Sequence, residues 1–338
     1  MRVTELPTPA LVVDTVVFNR NLDTMTAALP GPRLRPHVKA HKCTALAREQ
    51  ANRGHTGFTG ATPHELLGLA RAGLTDDLLL ANESVDDQRL RALADCGARV
   101  TVAVDSEATL DAAAHNGIRE VLIDVNVGIP RCGVSADDAG ALADMARARG
   151  LEVRGAMGYE GHAVLVPDGA ERARLTDESM AILRRAHESV GGPILSGGGT
   201  GTYAVNTVAT EIQAGSYALM DTAYAKLDIP FELALAVVAT VIHTNPKWTV
   251  ADCGLKALGM DHGNPMIAHA DVRFCSDEHV TFSPRAPVRV GDRVLVWPAH
   301  VDPTVAYHDT IHLADGPSLD STVIDRWSVD LRGWNEPG

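Results

Sequence analysis

The chain has 338 residues with 30 lysines and arginines against 43 aspartates and glutamates, which gives a formal net charge of -13. A hydrophobic share of 45% is ample for a buried core and excludes disorder for the bulk of the chain. The acidic balance argues against nucleic-acid binding, because neutralising phosphates requires clustered lysine and arginine.

The chain from Arg33 to about Asp221 alternates short β-branched runs with longer helical patterns. The predicted strands are Leu34–Val38, Gly57–Gly60, Leu78–Ala81, Arg99–Val104, Val121–Val125, Glu152–Met157, Pro193–Ser196 and Glu211–Ala214. The clearest predicted helices are Pro63–Ala72, Asp86–Asp95, Ser135–Arg149 and Ala170–Ser189. Eight such alternations indicate an α/β fold of the (β/α)8 barrel type. A doubly wound open sheet is the alternative, and the count of eight favours the barrel.

After Asp221 the pattern changes to short β-like runs separated by glycine and proline turns. These runs are Leu233–His243, Lys247–Ala251, Pro265–His269, Val272–Phe274, His279–Phe282 and Arg293–Trp297. We therefore expect a barrel domain over 15–230 and a second, mostly β domain over 231–338. Residues 1–14, with a strand at Pro9–Asp14, are expected to join the second domain.

Lys39 lies in the segment Arg35–Lys42, at the end of the first predicted barrel strand. Catalytic groups of such barrels sit at the carboxyl ends of the strands. A desolvated lysine amine has a lowered pKa and can form a Schiff base with a carbonyl. From this segment alone, a rim of solvated lysine and histidine is an equally good interpretation.

A glycine-rich segment, Ser196–Thr202, follows the seventh predicted strand, and Ala214–Tyr217 follows the eighth. Adjacent glycines let a backbone approach an anion, and hydroxyls add donors. Phosphate sites of barrels are often built from the loops after strands seven and eight. A phosphate cradle and a reactive lysine in one barrel point to pyridoxal 5'-phosphate, although two ordinary glycine turns are the alternative.

His300 and Asp302 form a third pattern, because an i, i+2 spacing places both side chains on one face of a strand. Imidazole and carboxylate suit a divalent ion of the Mn²⁺ or Mg²⁺ type. The pattern alone is weak, and solvated polar residues are its simpler interpretation.

Together these segments resemble the D-threonine aldolase and D-serine dehydratase family, whose barrel is shared with alanine racemase. The resemblance runs nearly end to end, through Thr8–Asp14, Arg35–Lys42, Asp124–Gly133, Ser196–Tyr203, Thr210–Asp221, Asp252–Lys256 and Pro298–Asp309. It implies that Lys39 is the Schiff-base lysine and that Arg131 and Tyr159 lie near the cofactor ring. The residues that it implies for the phosphate are Ser196, Gly198, Gly199, Thr200, Gly215, Ser216 and Tyr217.

The resemblance also turns His300 and Asp302 into expected metal ligands. Dehydratases of the family carry His-x-Cys there and use zinc, whereas aldolases carry His-x-Asp, as this chain does. The expected activity is a lyase reaction that cleaves a β-hydroxy-D-amino acid to glycine and an aldehyde, with His162 as a candidate base. The alternatives are a metal-dependent D-serine or 3-hydroxyaspartate dehydratase, which gives a 2-oxo acid and ammonia, and a non-catalytic pyridoxal phosphate carrier.

Location and assembly are further expectations. The longest apolar stretch, residues 233–242, is too short to cross about 30 Å of hydrocarbon, and no signal-peptide pattern is seen. Five cysteines without a C-x-x-C motif are typical of free thiols in a reducing cytoplasm. Relatives of this kind pair as dimers, so we expect a homodimer acting on a small molecule, without a nucleic-acid or membrane partner.

Overall fold

The structure is a computed structural model, and it describes residues 1–334. The helices within these residues are α1 (Thr15–Ala28), α2 (Thr44–Ala51), α3 (Pro63–Arg71), α4 (Asp87–Ala94), α5 (Glu107–His115), α6 (Ala139–Ala148), α7 (Gly169–Val190) and α8 (Val301–Ala306). The first eight strands are β1 (Ala10–Asp14), β2 (Gly57–Gly60), β3 (Asp77–Leu80), β4 (Val100–Val104), β5 (Glu120–Asp124), β6 (Glu152–Met157), β7 (Ile194–Gly197) and β8 (Glu211–Ile212). The remaining strands are β9 (Leu235–Thr244), β10 (Thr249–Ala251), β11 (Met266–Ile267), β12 (Ala270–Cys275), β13 (Val280–Pro284), β14 (Arg293–Trp297), β15 (Thr310–Ala314) and β16 (Val323–Ser328).

Packing divides the chain into two compact units. The barrel unit comprises residues 26–39 and 46–215, and the β unit comprises residues 1–25, 40–45 and 216–332. The domain limits predicted from the sequence, 15–230 and 231–338, remain a prediction. No helix within residues 1–334 is long and apolar enough to span a membrane.

The barrel unit contains a seven-stranded parallel sheet in the order β2-β3-β4-β5-β6-β7-β8. Its strands are apolar and almost wholly buried, as expected for a parallel sheet covered on both faces. Helices α3 to α7 connect successive strands from β2 to β7. Local capping fixes where these helices begin. For example, Thr62 Oγ1 accepts the Glu65 N–H at 3.2 Å, and Pro63 occupies the first turn of α3.

Residues 34–37 close the barrel as its eighth member. Leu34 forms a parallel bridge with Ile212 of β8, and His37 forms one with Thr59 of β2. On the β8 side, the Arg35 and His37 N–H groups donate to backbone carbonyls. On the β2 side, the Thr59 N–H donates to the Pro36 carbonyl at 2.9 Å. The barrel prediction is therefore confirmed, but Leu34–Val38 is not a regular strand. Pro36 lacks an N–H for a ladder, and a 3-10 turn begins at Val38.

A buried ion network fills the amino-terminal end of this barrel. Arg35 bonds Asp77 and Glu211, each at 2.8 Å, and Arg154 contacts Asp77 at 2.7 Å. Burial alone would raise the pKa of Asp77. Hydrogen bonds and charges from Arg154 and Arg35 outweigh burial and hold that pKa well below its usual value. Polar groups at this end of a barrel serve stability rather than catalysis.

The β unit is built on a nine-stranded sheet with the main order β12-β13-β10-β9-β1-β15-β16, while β14 pairs with β9 and β11. The amino-terminal strand β1 lies inside this sheet, parallel to β15 and antiparallel to β9. Every residue of β1 is buried. The chain returns through the short helix α8 before β15.

Candidate active site and metal pair

Lys39 lies in a single 3-10 turn, Val38–Ala40, directly after the segment that closes the barrel. Val38 is fully buried, and His37 Nδ1 accepts the Lys39 N–H at 3.4 Å. The Lys39 amine lies 5.5 Å from the centroid of the Tyr159 ring. The turn thus presents one amine to an aromatic side chain at the carboxyl end of the barrel strands.

Tyr159 follows β6, and its ring is approached by two cations. The Arg131 guanidinium carbon lies 5.7 Å from the ring centroid, a distance comparable to that of the Lys39 amine. A Cβ at Gly161 would lie 2.6 Å from Tyr159 Cε1, and one at Gly199 would lie 3.6 Å from Cε2. The structure therefore brings Lys39, Arg131, Tyr159 and the glycine-rich segment to one place, while their roles toward a cofactor stay a prediction.

The glycine-rich segment begins on β7. Ser196 is fully buried and its Oγ accepts a hydrogen bond from Gln213 Nε2 at 2.8 Å, which leaves the hydroxyl proton for another acceptor. Gly198 has φ +79°, and a Cβ there would lie 2.8 Å from Ile212 Cδ1. Thr200 is 1% exposed. Both the backbone conformation and the space at Gly198 therefore require glycine.

Glu160 holds this segment and was not predicted as a site residue. Its fully buried carboxylate accepts the Gly198 N–H at 3.1 Å, the Thr202 hydroxyl at 2.8 Å and the Asn206 amide at 3.2 Å. Thr202 Oγ1 in turn accepts the Gly199 N–H at 3.1 Å. Two of the glycine N–H groups that the sequence offered to an anion are thus already bonded inside the protein.

The segment after β8 continues from one compact unit into the other. Gly215 is buried and ends the barrel unit. Ser216 opens a 3-10 turn, Ser216–Ala218, in the β unit. Tyr217 is 1% exposed, and its ring packs against Phe231 with centroids 5.7 Å apart.

A group of acids that sequence reasoning missed lies at the carboxyl ends of β3, β4 and β5. Ligand atoms of Glu83, Asp105 and Cys132 lie within 4.8 Å of one another, and the Gly133 N–H donates to Asp105 at 3.2 Å. Burial, then the charge and hydrogen bond of Glu83, raise the pKa of Asp124 well above its usual value. A separate hydrogen bond, between Glu83 and the Cys132 thiol, is the largest cause that raises the pKa of Cys132 to about 11.

His162, the candidate base, lies in the segment after β6 and is exposed. Its Nε2 is 3.5 Å from Ser179 Oγ of α7. A Cβ at Gly128 would lie 2.8 Å from His162 Cε1, so the glycine leaves room for the ring. The imidazole is therefore held at the catalytic end of the barrel with one face against the backbone.

His300 and Asp302 come together in the β unit, but not on a strand. His300 is the residue before helix α8, and Asp302 lies in the first turn of that helix. The prediction that both side chains lie on one face of a strand is wrong, because the backbone changes from extended to helical between the two residues. His300 Nε2 and Asp302 Oδ1 nevertheless lie 3.9 Å apart.

This pair fits a divalent ion. Asp302 Oδ1 is buried and has no hydrogen-bond partner among residues 1–334, which is costly for a carboxylate oxygen. Bonds of about 2.1 Å to nitrogen and oxygen would let one ion contact both atoms across the 3.9 Å gap. The backbone between them is fixed by Asp221, which is fully buried and accepts the Val301 N–H at 2.9 Å.

Neighbouring polar groups surround His300. Asp261 Oδ2 lies 2.7 Å from His300 Nδ1, and the His262 ring stacks on His300 with centroids 3.9 Å apart. The Lys42 amine donates to the Asp302 carbonyl at 2.7 Å. None of these supports was predicted, because Asp261 is 39 residues from His300 in the chain and no local pattern links them.

Two family models and several known proteins match this chain. Residues 13–222 match the family model of the alanine racemase N-terminal domain, and residues 234–314 match a model described as a serine dehydratase domain. A D-threonine aldolase from an Arthrobacter species is 33% identical over 97% of this chain and 93% of its own length. A 3-hydroxy-D-aspartate aldolase from Paracoccus denitrificans is 31% identical over the same shares.

A solved structure supports the same relationship. The crystal structure of D-threonine aldolase from Filomicrobium marinum is 33% identical, with a TM-score of 0.91 over 98% of this chain and 96% of that one. The family predicted from the sequence is thus confirmed by sequence and by fold. The chain belongs to the D-threonine aldolase and D-serine dehydratase-like family of pyridoxal 5'-phosphate enzymes, built on the alanine racemase type of barrel.

Proposed function

We propose that this protein is a lyase, an aldolase that cleaves a β-hydroxy-D-amino acid of the D-threonine type to glycine and an aldehyde. The observation that carries the proposal is the buried Asp302 Oδ1, which has no hydrogen-bond partner in the described part of the chain and lies 3.9 Å from His300 Nε2. An imidazole and a carboxylate together suit an oxygen-preferring ion that binds a substrate hydroxyl. The similarity to D-threonine aldolase over nearly the whole chain supports the same reaction.

The barrel residues fit pyridoxal 5'-phosphate, which supplies an electron sink for a carbanion at the substrate's Cα. Lys39 would hold it through its amine, with Arg131 and Tyr159 near its ring. The residues proposed to hold the phosphate are Ser196, Gly198, Gly199, Thr200, Gly215, Ser216 and Tyr217. The hydroxyls of this set should contribute more to phosphate binding than its glycine amides do, because the Gly198 and Gly199 N–H groups already donate hydrogen bonds within the protein.

His300 and Asp302 would hold a divalent ion of the Mn²⁺ or Mg²⁺ type, which lowers the pKa of the substrate's β-hydroxyl. His162 is the proposed base that takes the hydroxyl proton, and contact with Ser179 holds its ring. The Lys39 amine is proposed to return a proton to Cα after the carbon–carbon bond breaks. The barrel holds Lys39 and His162 in place, which is part of the positioning that bond cleavage requires.

Dehydration is the second candidate. The match of residues 234–314 to a serine dehydratase domain favours it, because that segment includes His300 and Asp302. The substrate would then be D-serine or 3-hydroxyaspartate, and the products would be a 2-oxo acid and ammonia. A non-catalytic carrier has less support, because it would need no buried carboxylate beside His300.

We also propose a homodimer in a reducing cytoplasm. Within residues 1–334 no disulfide joins any of the five cysteines, which supports that compartment. Two-fold dimers are the commonest assemblies of soluble enzymes.

A panel of substrates with product analysis tests the function. The holoenzyme with Mn²⁺ should release glycine and an aldehyde from D-threonine, D-phenylserine or D-3-hydroxyaspartate, and should leave their L-enantiomers unchanged. Chelation or Lys39→Ala should abolish the reaction, and the matched variant Lys247→Ala should not. Ammonia and a 2-oxo acid would support the dehydratase instead, and no product from any of these substrates would refute both.

A further inference from the structure

Asp261 determines which nitrogen of His300 carries a proton. Its Oδ2 lies 2.7 Å from His300 Nδ1, and an ionised carboxylate can only accept a hydrogen bond. The proton of the neutral ring must therefore be on Nδ1. The lone pair is then on Nε2, the nitrogen that lies 3.9 Å from Asp302 Oδ1.

Two further contacts fix the direction in which this ring points. The His262 ring stacks on His300, with centroids 3.9 Å apart and planes 13° from parallel. The His300 carbonyl accepts the Thr304 hydroxyl at 2.7 Å, which holds the backbone at the start of α8. Turning the His300 ring over would exchange Nδ1 with Cδ2 and Nε2 with Cε1, so it would break the bond to Asp261 and face Asp302 with a carbon atom.

We infer that Asp261 is a positioning residue of the metal centre, which orients His300 and sets its tautomer, and that His262 supports the ring by stacking. This inference rests on the proposed function, which takes His300 and Asp302 as the metal ligands. Asp261 is not itself placed as a ligand, because its Oδ2 already holds the proton on Nδ1. Replacing a carboxylate that holds a ligating histidine in this way commonly weakens metal binding about 10- to 100-fold.

Titration of the holoenzyme with Mn²⁺, with free Mn²⁺ measured by electron paramagnetic resonance, tests this role without reference to activity. Asp261→Ala should weaken Mn²⁺ binding about 10- to 100-fold. Asp261→Asn keeps an acceptor but lets the ring adopt either tautomer, so it should lie between Asp261→Ala and wild type. Asp320→Asn makes the same change of charge in the exposed turn before β16 and should bind Mn²⁺ as wild type does.

The same titration separates the inference from the proposed function. His300→Ala should abolish this binding; if it does not, the metal pair is wrong and the inference with it. If His300→Ala abolishes binding and both Asp261 variants bind within twofold of wild type, the inference alone is wrong.

Two measurements test how Asp261 and His262 hold the His300 ring. Nitrogen-15 shifts of His300 in the metal-free holoenzyme should show a proton on Nδ1 in wild type and a mixture of tautomers in Asp261→Asn. A wild-type ring protonated on Nε2 would overturn the assignment. His262→Phe keeps a flat ring and should retain Mn²⁺ affinity, whereas His262→Ala should lose it severalfold. Equal losses in both variants would make His262 a ligand and refute its role in stacking.

Discussion

Replacing Glu160 tests how the glycine-rich segment is held. Its carboxylate is fully buried and accepts three hydrogen bonds, from the Gly198 amide, the Thr202 hydroxyl and the Asn206 amide, at 2.8–3.2 Å. Glu160→Ala leaves all three donors inside the protein without their acceptor. The segment that we propose to hold a phosphate would then lose its fixed conformation.

The expected loss of stability follows from these three bonds. Each buried donor left without a partner costs about 1–3 kcal/mol. Water entering the vacated space would satisfy part of this demand, so we expect Glu160→Ala to lower the free energy of unfolding by about 3–5 kcal/mol. Glu160→Gln keeps one acceptor oxygen but points an amide N–H group at other donors, so it should lower the free energy of unfolding by about 2–3 kcal/mol.

Urea unfolding followed by circular dichroism measures the stability, and absorbance titration measures the affinity for pyridoxal 5'-phosphate. Both variants should bind the cofactor at least tenfold more weakly than wild type. Glu188→Ala removes an exposed glutamate near the end of α7 and serves as the matched control. If Glu160→Ala unfolds within 1 kcal/mol of wild type and binds the cofactor equally well, the reasoning is refuted.

Three further predictions concern other parts of the barrel unit. The pKa of Asp77 is held low, so its contribution to folding is complete above its unfolded pKa of about 4 and is lost as the pH falls. The stability difference between wild type and Asp77→Asn in urea should therefore shrink from pH 6 to pH 3, and a constant difference would contradict this. Gly198→Ala should lower the free energy of unfolding by at least about 1–2 kcal/mol, because alanine is strained at φ +79° and its Cβ would contact Ile212. Unfolding in urea that is unchanged from wild type would exclude that strain. Glu83→Gln should lower the pKa of Cys132 from about 11 and speed its alkylation by iodoacetamide at pH 8.5 severalfold, and an unchanged rate would show that Glu83 does not control the thiol.

The alternation of strands and helices was readable from the sequence because each barrel element is defined by its own local pattern. The predicted strands Gly57–Gly60 and Glu152–Met157 agree with the structure at both ends. The closing segment, residues 34–37, was placed correctly but is held by single bridges to both neighbours. Its proline limits the ladder, and the 3-10 turn at Lys39 ends it.

The residues that hold the site residues in place could not be predicted from the sequence, because their partners lie in distant parts of the chain. Glu160 and Asn206 are 46 residues apart, and Asp261 and His300 are 39 apart. Neither pair has a periodic or motif-like signature. The relation of His300 to Asp302 was predicted for the wrong reason, since an i, i+2 spacing at a helix start gives a different geometry from that on a strand.

The most direct test of the central claim is to find which lysine binds the cofactor. The chain has only five lysines, and Lys42 lies three residues from Lys39. Holoenzyme reduced with borohydride and digested should carry the cofactor on Lys39 alone, as mass spectrometry of the peptides would show. Attachment to any other lysine, or no attachment at all, would contradict the account.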